Sequence, residues 1–198
     1  MNGLKSGSSG KRREEMETTK TEAQWLVDHK RIRSIITANR DNEDSVIYMF
    51  LDFDGVINIF LLEGTPEYEK ALEKREFDFA NRDCVKRLNR LCRDYPMIKV
   101  IVSSSWRYAG LPYCQDYLEK AGMDPSIRLA DMTDAETMLP REEHITDFLF
   151  AHPDFRGFII FDDMRMKHLN DYLVQTDCLI GWNDERDGYA RKILEKYV

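Results

Sequence analysis

Three places in the chain put reactive side chains directly after an apolar run. Asp52-Phe53-Asp54-Gly55 follows VIYMFL, Ser103-Ser104-Ser105-Trp106-Arg107 follows IKVIV, and Asp162-Asp163 follows GFIIF. Two carboxylates two positions apart, followed by glycine, leave a buried strand and face its ligand edge together. Hydroxyls where a strand passes into a helix offer donors to a phosphate or an oxyanion. Adjacent acids beyond an apolar strand are costly unless a cation accompanies them, and carboxylate oxygens suit Mg²⁺. Each place also has a plainer reading: Asp52 capping a helix, Asp54-Gly55 making a turn, and one serine serving as an N-cap. Segment 52–55 alone leaves both readings open. Three serines beside an arginine favour an anion site.

These residues need a frame that brings distant segments together, and the hydrophobic pattern supplies one. Short, wholly apolar runs predict strands over 46–51, 98–102, 157–161 and, with weaker patterning, 127–130 and 172–175. Amphipathic spacing predicts helices over 83–95, 112–121, 141–151 and 184–198. Strand–helix alternation implies a parallel sheet flanked by helices, with ligands beyond the carboxyl ends of the strands near the reversal of strand order. The residues after Leu51, Val102 and Phe161 are therefore the ones to expect at a site. Residues 1–13 read as a flexible Gly/Ser-containing tail, 14–40 as an appended helix with Trp25, Ile32 and Ile36 on one face, and 41–198 as the main domain.

Composition sets the outer limits. The 198 residues are 42% hydrophobic and 11% aromatic, enough for a packed core, so wholesale disorder and fibrous repeats are excluded. Lys plus Arg total 29 against 36 Asp plus Glu, a net charge of −7 that argues against a generic nucleic-acid or membrane-surface binder but permits a local basic groove. No apolar stretch is long enough to span a membrane, and the start of the chain has no secretory signal pattern. Cys84, Cys92, Cys114 and Cys178 form no CxxC pair, which suits reduced thiols and a cytoplasmic protein.

Taken together, the three strand ends resemble the haloacid dehalogenase (HAD) superfamily of phosphohydrolases. LDFDGV is similar to its nucleophile motif, VIVSSSWR to its phosphate-binding motif and IIFDDM to its acidic metal motif, in the family's order. The resemblance covers roughly residues 46–198 and leaves the N-terminal helix unexplained. DGVIN, SSSWR and the late acidic pair also resemble capless HAD domains of RNA-repair proteins. The resemblance implies a Rossmann-like α/β fold without a sizeable cap. It makes Asp52 the nucleophile and Asp54 the general acid and base. Mg²⁺ would be held by Asp52, Asp54 through its backbone carbonyl, Asp162 and Asp163. Ser103 and the amide of Ser104 would bind the transferring phosphoryl group. The basic partner would be Arg141, with Arg107 as its competitor and Lys167 as a solvated helix charge. An acid two residues after the nucleophile favours phosphate-ester hydrolysis over dehalogenation.

The other candidates are weaker. His29, His144, His152 and His168 form no metal-ligand spacing and suit surface or packing roles. Lys86, Arg87, Arg90 and Arg93 suit the wet face of a helix. Segments 57–79 and 108–140 occupy the two slots for a cap, and neither holds an independent domain; the first suits a flap with a short helix near 67–74. An open site favours a large phosphorylated substrate, a nucleic-acid end or a phosphoprotein, with a nucleotide or another small ester as alternative. A non-catalytic HAD-like binding or regulatory module and a metal-dependent glycosyltransferase are the rival classes.

Overall fold

A computed structural model describes residues 19–66, 68–69 and 80–198. The tail at 1–13, residues 14–18 of the expected first helix and most of the flap helix near 67–74 lie outside the described residues. The order of elements is α1 (Glu22–Asn39), β1 (Val46–Leu51), α2 (Arg82–Asp94), β2 (Ile98–Val102), a 3₁₀ turn (Ser105–Ala109), α3 (Leu111–Lys120), β3 (Leu129–Met132), α4 (Arg141–Ala151), β4 (Phe155–Asp162), a second 3₁₀ turn (Asn170–Tyr172), β5 (Leu173–Gln175) and α5 (Asp184–Leu194).

The five strands form one parallel sheet in the order β3-β2-β1-β4-β5, the expected Rossmann-like arrangement. The chain winds outward from β1 through β2 to β3, then returns to place β4 on the other side of β1. Strand order therefore reverses between β1 and β4. Every residue of β1 is buried, as a central parallel strand requires. Its alternate residues nevertheless sort between two cores. Ile47, Met49 and Leu51 join Val85 and Leu88 of α2, Leu118 of α3 and Ile193 of α5. Val46, Tyr48 and Phe50 join Trp25 and Ile32 of α1 and Ile145 and Leu149 of α4. The result is three layers, with helices on both faces of the sheet.

Several boundaries differ from the sequence expectation. Helix α1 starts at Glu22 because Thr21 caps it: the Thr21 hydroxyl accepts from the Gln24 amide, and the Gln24 side chain accepts from the Thr21 amide. Residues 19 and 20, expected within the helix, precede that cap. Strand β3 lies two residues later than expected. Helix α5 stops at Leu194, and the following chain folds Tyr197 back toward Gly157. Lys167 sits in the loop after β4, where its ammonium contacts Glu22, and is not part of a helix.

Three basic residues of α2 are tied to acids, as a helix surface would have them. Lys86 pairs with Asp83 at 2.8 Å, Arg87 with Asp184 at 2.9 Å and Arg90 with Asp187 at 2.9 Å. The flap segment leaves and returns at one point, since Asn58 makes bridges to both Asp54 and Ala80. Cys84, Cys92 and Cys114 are thiols outside any disulfide. No helix among the described residues is long and apolar enough to cross a membrane.

Candidate active site

The site follows from the alternation of β1 and β4. Val46, Tyr48 and Phe50 face α4, and one step of two further along is Asp52. Phe158 and Ile160 face the same layer, followed by Asp162. The register pairs Leu51 with both Val102 and Phe161, and the chain continues the pairing beyond β1: the Asp52 amide donates to Phe161 O at 2.9 Å and the Ser103 amide to Leu51 O at 3.1 Å. Asp52, Asp162 and Ser103 therefore arrive side by side at the carboxyl edge, at the reversal in strand order.

Helix α4 delivers the cation. Arg141 is its first residue, after Pro140 and with no side-chain cap. Its Nη1 lies 2.6 Å from Asp52 Oδ2 and 2.6 Å from Asp162 Oδ2. The hydrogen bond runs to Asp162. At Asp52 Oδ2 the contact is an ion pair, and among the described residues that buried oxygen has no well-aligned donor. The other Asp52 oxygen accepts the Phe53 amide at 2.8 Å, and the other Asp162 oxygen accepts the Met164 amide at 2.9 Å. Burial pushes the Asp162 carboxyl up to about 7, with Arg141 opposing and Asp52 adding to the shift. Burial also works against the charge on Arg141, but the two carboxylates outweigh it and hold the guanidinium protonated more firmly than usual. Asp163 joins this group: Asp52, Asp162 and Asp163 each place a carboxylate oxygen within 4.8 Å of the others.

Asp54 is carried over the edge by a tight turn. The amides of Ile57 and Asn58 donate to Phe53 O, and the Gly55 amide donates to Asn58 O at 2.8 Å. Gly55 has φ +80, and Thr176 donates its hydroxyl to the Gly55 carbonyl at 2.7 Å. The Asp54 carboxylate accepts from Trp106 Nε1 at 3.2 Å and from Asn58 Nδ2 at 3.0 Å, while Asn58 Oδ1 accepts from the Tyr117 hydroxyl at 2.7 Å. Trp106 packs on Tyr117, with ring centroids 4.4 Å apart. The tryptophan thus both packs and orients the acid.

The serines divide their duties. Ser104 is an N-cap, its hydroxyl accepting from the Trp106 amide at 3.3 Å. Ser103 Oγ is buried with no hydrogen-bond partner, a polar atom that needs one. Arg107 is placed differently from Arg141. Its Nε donates to Asp134 O at 2.9 Å, its Nη1 to Ser104 O at 3.0 Å and its Nη2 to the Tyr108 hydroxyl at 3.3 Å. It braces the serine turn, whereas Arg141 touches the acids.

Some contributors carry no obvious signal in the sequence. Glu142 Oε1 accepts the His168 and Leu169 amides at 2.6 and 2.8 Å and so shapes the loop after β4 from another segment. Asn58 is part of DGVIN, yet its bond to Asp54 depends on the turn. Beside the site lies a cleft of ≈ 340 Å³ whose lining includes Tyr108, Met138, Arg141, Arg165, Lys167 and His168.

No curated protein and no solved structure matches the chain. The model of the family described as the HAD domain in Swiss Army Knife RNA repair proteins matches residues 48–186. That span opens within β1, closes within α5 and contains Asp52, Asp54, Ser103, Arg141, Asp162 and Asp163, leaving only α1 and the chain ends outside. The strand-end residues, the fold that gathers them and the family match agree, and the chain belongs to the HAD domains of Swiss Army Knife RNA repair proteins.

Proposed function

We propose that this domain removes a phosphate from the end of a nucleic acid, through an aspartyl-phosphate on Asp52 and with Mg²⁺ as its metal. The observation that carries the reading is the meeting of Asp52 and Asp162 at the reversal of strand order, bridged by Arg141. The donor set fits the ion: three carboxylates with oxygens within 4.8 Å of one another, one of them with a buried oxygen lacking a donor. Asp52, Asp162 and Asp163, with the Asp54 carbonyl, would hold it. When bound, it supplies the positive charge that lets an anionic carboxylate meet an anionic phosphate.

The chain's own residues do the rest. Asp52 attacks phosphorus, forming the aspartyl–phosphorus bond as the ester P–O bond breaks, and the Asp54 carboxyl gives its proton to the departing alkoxide. Water then attacks phosphorus and yields its proton to the Asp54 carboxylate. The bond to Asp52 breaks, releasing inorganic phosphate and restoring both acids. Ser103 Oγ can donate to a phosphoryl oxygen, and Arg141, already against the Asp52 carboxylate, can meet the phosphoryl group carried there.

The cleft beside Arg141 favours a nucleic acid over a phosphoprotein. It presents the exposed ring of Tyr108 and the exposed Met138 for a base, together with the exposed cations Arg165 and Lys167 for a neighbouring phosphodiester. A family described by RNA repair agrees with that choice. The test is phosphate release from p-nitrophenyl phosphate and from end-phosphorylated oligoribonucleotides. Release should require Mg²⁺, and Asp52→Asn should lower kcat by several orders of magnitude with its circular dichroism unchanged. Full activity in that variant, or in excess EDTA, refutes the proposal.

A further inference from the structure

Helix α1 lies outside the family match, yet it packs against the loop that walls the cleft. That loop, 163–169, runs from the last acid of the site to the second 3₁₀ turn and contains neither helix nor strand. Met164, Arg165, Met166, Lys167 and His168 all line the cleft. With no ladder of its own, the loop takes its shape from other segments. Glu142 fixes its backbone at His168 and Leu169.

The side chains are fixed by α1. Trp25, 2% exposed, stacks on His168 with centroids 4.4 Å apart and planes 4° apart, and His29 meets the same imidazole edge-on at 6.5 Å. Glu22 contacts the Lys167 ammonium. Met166 and Leu169 are buried in one core with Trp25 and Ile32. The helix is itself anchored to α4, because the buried Glu143 carboxylate accepts from the amides of Thr19 and Lys20. Two consecutive glutamates thus tie down the two partners separately: Glu142 holds the loop and Glu143 holds the start of α1.

We propose that α1 is a working part of the substrate cleft, and that Trp25, acting through its stack on His168, is a positioning residue for the part of the substrate beyond the phosphate. The contacts of Trp25 above run to His29 and to the loop, and its influence belongs to substrate positioning and not to phosphoryl transfer. The inference rests on the phosphatase reading for its kinetic consequences only.

The experiment uses the full chain with Trp25→Leu, which keeps a buried apolar group and removes the aromatic face, and Trp25→Phe, which restores a ring. For Trp25→Leu, KM for an end-phosphorylated oligoribonucleotide should rise about tenfold while kcat/KM for p-nitrophenyl phosphate stays within about twofold, and Trp25→Phe should recover most of the loss. Amides in 164–169 should exchange at least about tenfold faster in Trp25→Leu, while those of β1 and β2 keep their protection. Leu88→Ala, a core deletion on the opposite face of the sheet, should show neither effect at a temperature where it is folded. Equal losses on both substrates, unchanged exchange in the loop, or the same pattern in Leu88→Ala would overturn the proposal. If Trp25→Leu fails to fold, His168→Leu, which removes the other partner of the stack, decides by exchange: amides in 164–169 should again exchange at least about tenfold faster, and no change there overturns the proposal. If the unaltered chain hydrolyses neither substrate, the phosphatase reading falls, and the exchange comparison still decides this one.

Discussion

At Gly55 a single methyl group would collide with a candidate metal ligand. A Cβ built there would stand 2.6 Å from Cβ, Cγ and Oδ2 of Asp163, and the backbone already has φ +80. Gly55→Ala therefore combines strain with displacement of an acid of the site. We expect it to cost about 1–3 kcal/mol in a thermal or denaturant melt and to weaken Mg²⁺ binding by calorimetric titration. Unchanged affinity would mean that Asp163 is not needed for the metal. Asp54 makes a second prediction. Trp106 and Asn58 both donate to Oδ1, which an asparagine oxygen could replace, so Asp54→Asn should fold normally. It removes the group that activates water but leaves Asp52, so a reactive phosphoryl donor should leave phosphate trapped on Asp52 in a quenched sample read by mass spectrometry. Phosphate found on Asp54 in the unaltered enzyme would reverse the two roles. At this scale the sequence is informative wherever the candidate site is built from residues at strand ends, as with Asp52, Ser103 and Asp162. It says little of Glu142, whose partners His168 and Leu169 are met only after the chain has turned around β4.

Boundaries between elements move where a distant side chain overrides the local pattern. Strand β4 begins at Phe155, two residues before the apolar run that announces it, because Phe155 pairs with Val46 across an irregularity in register. Strand β3 is an edge strand, so its end at Asp131 and Met132 need not be apolar on both faces, and the apolar Ile127 packs at the core's margin before the strand starts. Strands β1 and β2, each flanked by a strand on both sides, are legible to the residue. Helix α5 ends early because the chain must bring Tyr197 over Gly157, whose missing side chain makes room for the ring. A Cβ on Gly157 would lie 2.3 Å from Tyr197 Cγ. Gly157→Ala should therefore destabilise the fold by about 1–3 kcal/mol through overpacking. In Gly157→Ala/Tyr197→Ala the loss should be smaller than the sum of the two single losses, the signature of a contact between them. Strict additivity in a denaturant melt would show that the approach of ring to strand does not matter in solution.

The molecule as a whole carries −7, so its average field repels a polynucleotide, and any attraction must be local. The acids of α2 and α5 neutralise the basic face of α2, and among the cations that line the cleft Arg107 and Arg141 are buried or nearly so. That leaves Arg165, together with Lys167 once a phosphodiester takes the place of Glu22 in their exposed ion pair, as the solvent-facing charges beside the site. Two cations on a single strand predict that log kcat/KM for an oligoribonucleotide falls with log salt at a slope of about −1.4, roughly sevenfold between 50 and 200 mM. A small ester that engages the site only through its phosphate should change by less than about twofold over the same range. The open site also means that a small ester lacks the remote contacts that would orient it, so the best oligonucleotide should exceed p-nitrophenyl phosphate in kcat/KM by at least about a hundredfold, near 2.7 kcal/mol. Arg165→Gln should then lower the slope by about 0.7 and erase part of that advantage while leaving p-nitrophenyl phosphate hydrolysis intact. A slope near zero for the oligonucleotide, or a small metabolite that outperforms every polymer, would show that the cleft does not read a phosphodiester, and would leave the acids and Arg141 serving a smaller substrate.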